Sequence, residues 1–173
     1  MLKFLLPIAC ISLLAFLQGP VTAGSSAQVP VIADTSYDSY LNSRFGYAIA
    51  YPKNIFFPQP ESDYGDGCIF LNSRQQEVLR VFGRYNLSES GPPVTLAKQY
   101  RQDIAAAAKQ HKTIEYKKLG NTFYVLSGYQ GNTIFYQKTI LLNGALAFAM
   151  MQYPQTEKDQ YHRLVTRVFA SFK

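Results

Sequence analysis

Three groups of side chains in this sequence have types that chemistry could use. The first is acidic: Glu61, Asp63 and Asp66 stand close together in Glu61-Ser62-Asp63-Tyr64-Gly65-Asp66-Gly67. A hard cation takes several oxygen ligands, with glycines supplying the bends between them. The stretch lacks the EF-hand spacing and its distal glutamate, and Asp and Gly favour plain turns as well. The expectation is a solvated turn and no metal, with Asp63 and Asp66 as weak candidates for a cation loop. The second is a thiol, Cys68, followed by Ile69, Phe70 and Leu71. That context reads as a buried strand with a small apolar cysteine, the alternative being a reactive or bridging thiol. The third is basic: Lys98, Arg101, Lys109 and Lys112 gather on one side of an expected helix, opposed there only by Asp103, with Lys117 and Lys118 able to extend them. Close like charges attract an anionic partner, although cations opposite an apolar stripe are also the ordinary solvated side of a helix.

Other chemistry finds little support. His111 is expected on the apolar face of the first helix near its C-terminus, where the helix end favours its charge. His162 stands beside the apolar stripe of the last helix. Two isolated histidines with no ligand set around them make no metal site. There is no Gly-x-Ser-x-Gly elbow, P-loop or dinucleotide fingerprint, and nothing local supports a Ser-His-acid triad. No catalysis and no cofactor are therefore expected. Asn86-Leu87-Ser88 matches a glycosylation acceptor, read here as a chance match. The 13 tyrosines, among them Tyr37, Tyr47, Tyr51, Tyr85, Tyr129, Tyr136 and Tyr153 on strands or strand ends, suit strand packing and also an adaptable recognition surface.

The elements that hold these residues follow from periodicity. Tyr37 to Leu41 is a short strand, and Tyr47, Ile49 and Tyr51 alternate with Ala48 and Ala50 up to Pro52. Lys53 to Gly67 is a loop, Cys68 to Leu71 and Glu77 to Tyr85 a hairpin, and Asn86 to Pro93 a second loop. Thr95 caps a helix running to about Lys112, with Leu96, Tyr100, Ile104, Ala107 and His111 on one face. Thr113 to Leu119, Thr122 to Tyr129, Thr133 to Leu142 and Ala145 to Tyr153 are strands joined by short turns, Asn143-Gly144 being the strongest hairpin signal. Thr156 caps a last helix from Glu157 to about Phe172, striped by Tyr161, Leu164, Val165, Val168, Phe169 and Phe172. Thr133 to Leu142 carries Ile134, Tyr136, Ile140 and Leu142 on one face and Phe135 and Leu141 on the other. A sheet apolar on both faces needs two covers, and two helices supply them. The fold class expected is α+β, an antiparallel sheet covered by helices on both faces.

The 173 residues hold one domain, and 47% hydrophobic against 16% charged residues excludes a disordered chain or a coiled coil. Residues 1–23 read as a signal peptide: Lys3, an apolar run from Phe4 to Leu17, then Val21-Thr22-Ala23 before cleavage. The Ala27-Gln28 bond is the second choice, and a retained anchor the competing reading. Pro7 and the short run before Cys10 argue against lipidation there. Cleavage after Ala23 removes Lys3, lowers the formal charge from +6 to +5 and leaves Cys68 as the one cysteine. Residues 24–35 form a tether and 36–173 the domain. The chain is thus expected to be exported, periplasmic or secreted, with no transmembrane span after cleavage.

Phe45-Gly46-Tyr47-Ala48-Ile49-Ala50-Tyr51-Pro52 resembles the opening strand of PsbP-like domains, an aromatic-Gly-aromatic strand ending in Tyr-Pro. Leu164-Val165-Thr166-Arg167-Val168-Phe169-Ala170-Ser171-Phe172 resembles the family's last helix, which commonly finishes in Ser-Phe. Where that family often has a Trp soon after the Tyr-Pro, Ile55, Phe56 and Phe57 stand instead. The resemblance implies a PsbP-like sandwich and a binding or accessory domain. Members of that family attach to varied partners, including photosystem subunits and a small GTPase. The expected function is a non-catalytic binding or accessory module of the bacterial envelope, whose partner is a protein or another envelope component. No nucleic acid is expected. One alternative is an anionic-surface or polyanion-binding protein using Lys98, Arg101, Lys109 and Lys112. Another is a thiol-dependent enzyme or redox protein centred on Cys68.

Overall fold

Alternating side chains and tight turns build most of this molecule from adjacent antiparallel strands. The computed structural model describes residues 35–87, 92–142 and 144–173. The leader and its cleavage points, Cys10, the tether up to residue 34, Ser88 and Asn143 lie outside the described residues. Strands β1 (Tyr37–Leu41) and β2 (Ala48–Pro52) pair as a separate two-stranded ribbon. The other strands are β3 (Phe57–Pro58), β4 (Gly67–Leu71), β5 (Glu77–Tyr85), β6 (Thr113–Leu119), β7 (Phe123–Gln130), β8 (Thr133–Leu142) and β9 (Ala145–Pro154). They form a seven-stranded sheet in the order β3-β4-β5-β9-β8-β7-β6, every pair antiparallel. Gln130 pairs with Thr133 and Leu142 with Ala145, so two residues close each hairpin. Gly131 and Gly144 take φ of 56° and 73° there, the left-handed conformation that such turns require and glycine adopts freely. Strand β3 is a short addition within the loop expected over Lys53 to Gly67.

Helices α1 (Leu96–Lys109) and α2 (Lys158–Ser171) lie on opposite faces of the sheet. On one face α2 and the β1–β2 ribbon sit side by side. All six residues of its expected stripe are buried, packed with Tyr47, Ile49, Phe70, Val81 and Met151. On the other face Leu96, Tyr100 and Ile104 of α1 pack on Tyr124, Leu126, Phe135 and Leu146. Each large apolar side chain so buried contributes about 1.5–3 kcal/mol. Phe56 is fully buried, with its ring 6.1 Å from that of Tyr161.

The helix ends differ from expectation. Thr95 does cap α1, its hydroxyl accepting from the Lys98 N–H at 3.2 Å. The helix stops at Lys109, because His111 turns into a left-handed conformation (φ 55°) while the Lys112 N–H reaches back to the Ala107 carbonyl. His111 is therefore exposed, not on the apolar face, and Lys112 lies beyond the helix. Thr156 does not cap α2. It belongs to a single 3₁₀ turn, Gln155–Glu157, and Glu157 precedes α2 without a side-chain capping bond. The Glu157 carboxylate pairs instead with Arg74 from the β4–β5 turn.

Candidate functional site

Each helix covers only part of its face. Because α2 lies over β8 and β9 beside the ribbon, the β6–β7 end of that face stays open. The result is a groove of 460 Å³ between α2 and the sheet edge. Strand alternation sets its floor, with Phe123, Val125, Ser127 and Tyr129 from β7 and Ile134, Tyr136 and Lys138 from β8. Helical spacing sets its wall, with Lys158, His162, Val165, Thr166 and Phe169 recurring on one side of α2. Glu115, Tyr116 and Lys118 of β6 form the outer rim, and a bulge between Ile114 and Tyr116 lets both Glu115 and Tyr116 face it.

Among the groove-lining residues three lysines meet a single carboxylate, Glu115. Lys138 is already engaged. Its ammonium donates to the Phe169 and Phe172 carbonyls at 2.8 and 2.9 Å, at the C-terminal end of α2. A cation there complements the helix dipole and the carbonyls that lack helical partners. Burial pulls its pKa below the ordinary value. Lys118 and Lys138 lie 5.7 and 5.3 Å from the Phe123 ring centroid, within cation–π range. Lys118, Lys158 and His162 are exposed along the groove. Tyr136 packs on Phe169 at 4.4 Å, and burial raises the pKa of its phenol. A seat of this kind offers aromatic faces, phenol hydroxyls and positive charge together. Of its residues, the sequence singles out Tyr129, Tyr136, Tyr153, Lys118 and His162, and Ile134, Val165 and Phe169 as apolar packing, but not Lys138 or Lys158. The available signal was Lys138 itself, a charge on the same strand face as Ile134, Tyr136 and Ile140.

The basic stripe is partly reassembled. Lys98, Arg101 and Lys109 are exposed on the outer side of α1. Lys112 is not with them. It folds over the Phe135 ring at 5.2 Å, and burial lowers its pKa. Asp103 does not oppose the stripe either, because it turns toward the sheet. There its carboxylate accepts from the Tyr124 hydroxyl, from Gln137 at 2.6 Å and from Gln99 at 2.7 Å. Gln99 in turn accepts from Arg84 at 2.7 Å. This half-buried network docks α1 on the sheet. It borders a smaller recess of 190 Å³ lined by Phe82, Phe148 and Lys112.

The remaining candidates are scattered. Glu61 accepts from the Tyr40 hydroxyl, Asp66 from that of Ser62, and Asp63 is exposed. Burial and the Glu61 bond push the Tyr40 pKa up to about 12. Among the described residues no three His, Cys, Asp or Glu side chains come together as metal ligands. Cys68 is 4% exposed, its thiol donating to the Gln59 carbonyl at 3.1 Å, and burial raises its pKa. That disfavours the thiolate on which cysteine reactivity depends. Asn86 is buried, its amide bonded to both backbone groups of Val94.

Comparison with known proteins places the architecture. No family model and no curated protein matches the chain. Among solved structures it is similar to the solution structure of cyanobacterial PsbP (CyanoP) from Synechocystis sp. PCC 6803. The TM-score is 0.57 at 15% identity, over 87% of this chain and 99% of that one. At that identity the likeness is one of fold, and the chain has a PsbP-like fold. Among the described residues no helix is long and apolar enough to cross a membrane.

Proposed function

We propose that this protein is a non-catalytic, exported binding or accessory module of the bacterial envelope, and that the groove between α2 and β6 is its ligand seat. The observation that carries this reading is the groove's composition. Tyr116, Tyr129, Tyr136 and Tyr153 line it, and among the described residues their hydroxyls find no protein partner, while Lys118 and Lys158 hold positive charge at its mouth. Tyrosine joins a large apolar body to a polar tip, which favours recognition surfaces. The fold suits an accessory module, and the buried Cys68 thiol offers little to a thiol-dependent reaction.

Photo-crosslinking from the groove tests the reading. Tyr116→p-benzoylphenylalanine should capture a discrete partner from native envelope extract. The same exchange at Tyr64, in the acidic loop and 80% exposed, should capture none. Equal yields from both positions would refute the seat. A second reading, a cationic face of α1 that binds an anionic surface, rests on Asp103 turning inward and leaving Lys98, Arg101 and Lys109 outward. Reversing those three charges should then abolish salt-sensitive retention on anionic vesicles.

A further inference from the structure

We infer that the groove and the free edge of β6 together receive an extended, carboxylate-bearing peptide segment of a partner protein, added to the sheet as a further strand. This rests on the groove being the ligand seat and names what the seat takes. The sheet ends at β6, and among the described residues nothing pairs with its outer edge. Seven residues, Thr113–Leu119, form that edge, and their outward N–H and C=O groups are a template for another strand.

An added strand would lie about 4.8 Å from β6 and send alternate side chains to each face. On the groove face they would meet Tyr116, which is 49% exposed, and Lys118. A bulky side chain there could reach past the rim toward Tyr129 and Tyr136, while Lys158 and His162 wait on the far wall. On the opposite face they would meet Lys117 and Leu119, the latter 44% exposed. Because Lys117 and Lys118 are adjacent, acidic side chains on either face of the incoming strand find an ammonium within reach. Cross-strand pairs of opposite charge are favourable. β6 carries Glu115 as well as Lys117 and Lys118, and with Lys158 across the groove the balance is positive, so an incoming strand richer in carboxylates than β6 itself is favoured.

The test uses fluorescein-labelled octapeptides of alternating Glu and Val, the Lys-Val counterpart, and the Glu-Val peptide N-methylated at alternate residues. Fluorescence anisotropy with the purified protein should show the Glu-Val peptide binding at least about tenfold more tightly than either other peptide. Lys118→Glu combined with Lys158→Glu should remove about tenfold of that affinity. Amide exchange in the complex should slow along β6. Equal binding of the acidic and basic peptides, indifference to N-methylation, protection away from β6, or self-association through β6 would each overturn the assignment. If Tyr116 crosslinks a lipid or glycan in envelope extract while the acidic peptide fails to bind, the seat stands and the peptide assignment falls.

Discussion

Replacing Tyr47 with Phe should lower stability at neutral pH and raise it at high pH. The Tyr47 ring is fully buried, and its hydroxyl donates to the Asp66 carbonyl at 2.9 Å. Burial, with Tyr40 alongside, raises its pKa far above 10.0. The unfolded chain begins to release this proton at about pH 10, whereas the folded chain keeps it. The unfolded state then binds fewer protons, so stability falls by about 1.4 kcal/mol per pH unit. At pH 11.5 the loss from this one residue is about 2 kcal/mol. Tyr124, fully buried and raised by burial and by its bond to Asp103, adds a similar amount. Together the two remove about 4 kcal/mol, a large share of the roughly 5–15 kcal/mol that holds a domain folded. Phe at position 47 loses one hydrogen bond, about 1 kcal/mol, because the Asp66 carbonyl still accepts from the Gly83 N–H at 2.8 Å. The stability curves of wild type and Tyr47→Phe should therefore cross near pH ~10.7. Urea unfolding from pH 8 to 11.5 reads this directly. Parallel curves over that range would show that Tyr47 titrates as freely in the fold as outside it, and the reasoning would be wrong.

Four further outcomes are expected. Lys138→Met strips the end of α2 of its cation and should cost about 1–3 kcal/mol, seen as a fall in Tm of roughly 3–10 °C. Asp103→Ala orphans the buried Tyr124 hydroxyl and should cost about 2–4 kcal/mol. Combined with Tyr124→Phe the loss should be less than additive by at least ~0.5 kcal/mol, as measured by a double-mutant cycle. Gly128→Ala should fail to fold or lose more than about 3 kcal/mol, because a Cβ there would lie 1.9 Å from the Thr113 carbonyl oxygen across the β6–β7 pair. Cys68 should resist alkylation in native protein and react once urea unfolds it, as followed by mass spectrometry; rapid native labelling would restore the thiol hypothesis.

Strand and helix identities were legible locally. The alternation of Ile134, Tyr136 and Ile140 against Phe135 and Leu141, the stripe from Tyr161 to Phe172 and the two-residue turns each express a period or a backbone requirement within a few residues of chain. Two apolar helix faces and a doubly apolar sheet were enough to call for a cover on either side. The site was not legible in the same way, because it is a gap and not a motif. It exists because α2 settles over β8 and β9 beside the β1–β2 ribbon and leaves the β6–β7 end bare, a placement set by contacts between residues more than a hundred positions apart, such as Ser171 with Ala50. Side-chain partners also needed the tertiary structure. Asp103 and Lys112 looked like members of one charged helix face, but the carboxylate found Tyr124 and Gln137 on the sheet, and the left-handed turn at His111 carried the lysine onto Phe135. Periodicity says which way a residue faces from its own element. Only the packing of that element against others decides whether it meets solvent, a partner or an open groove.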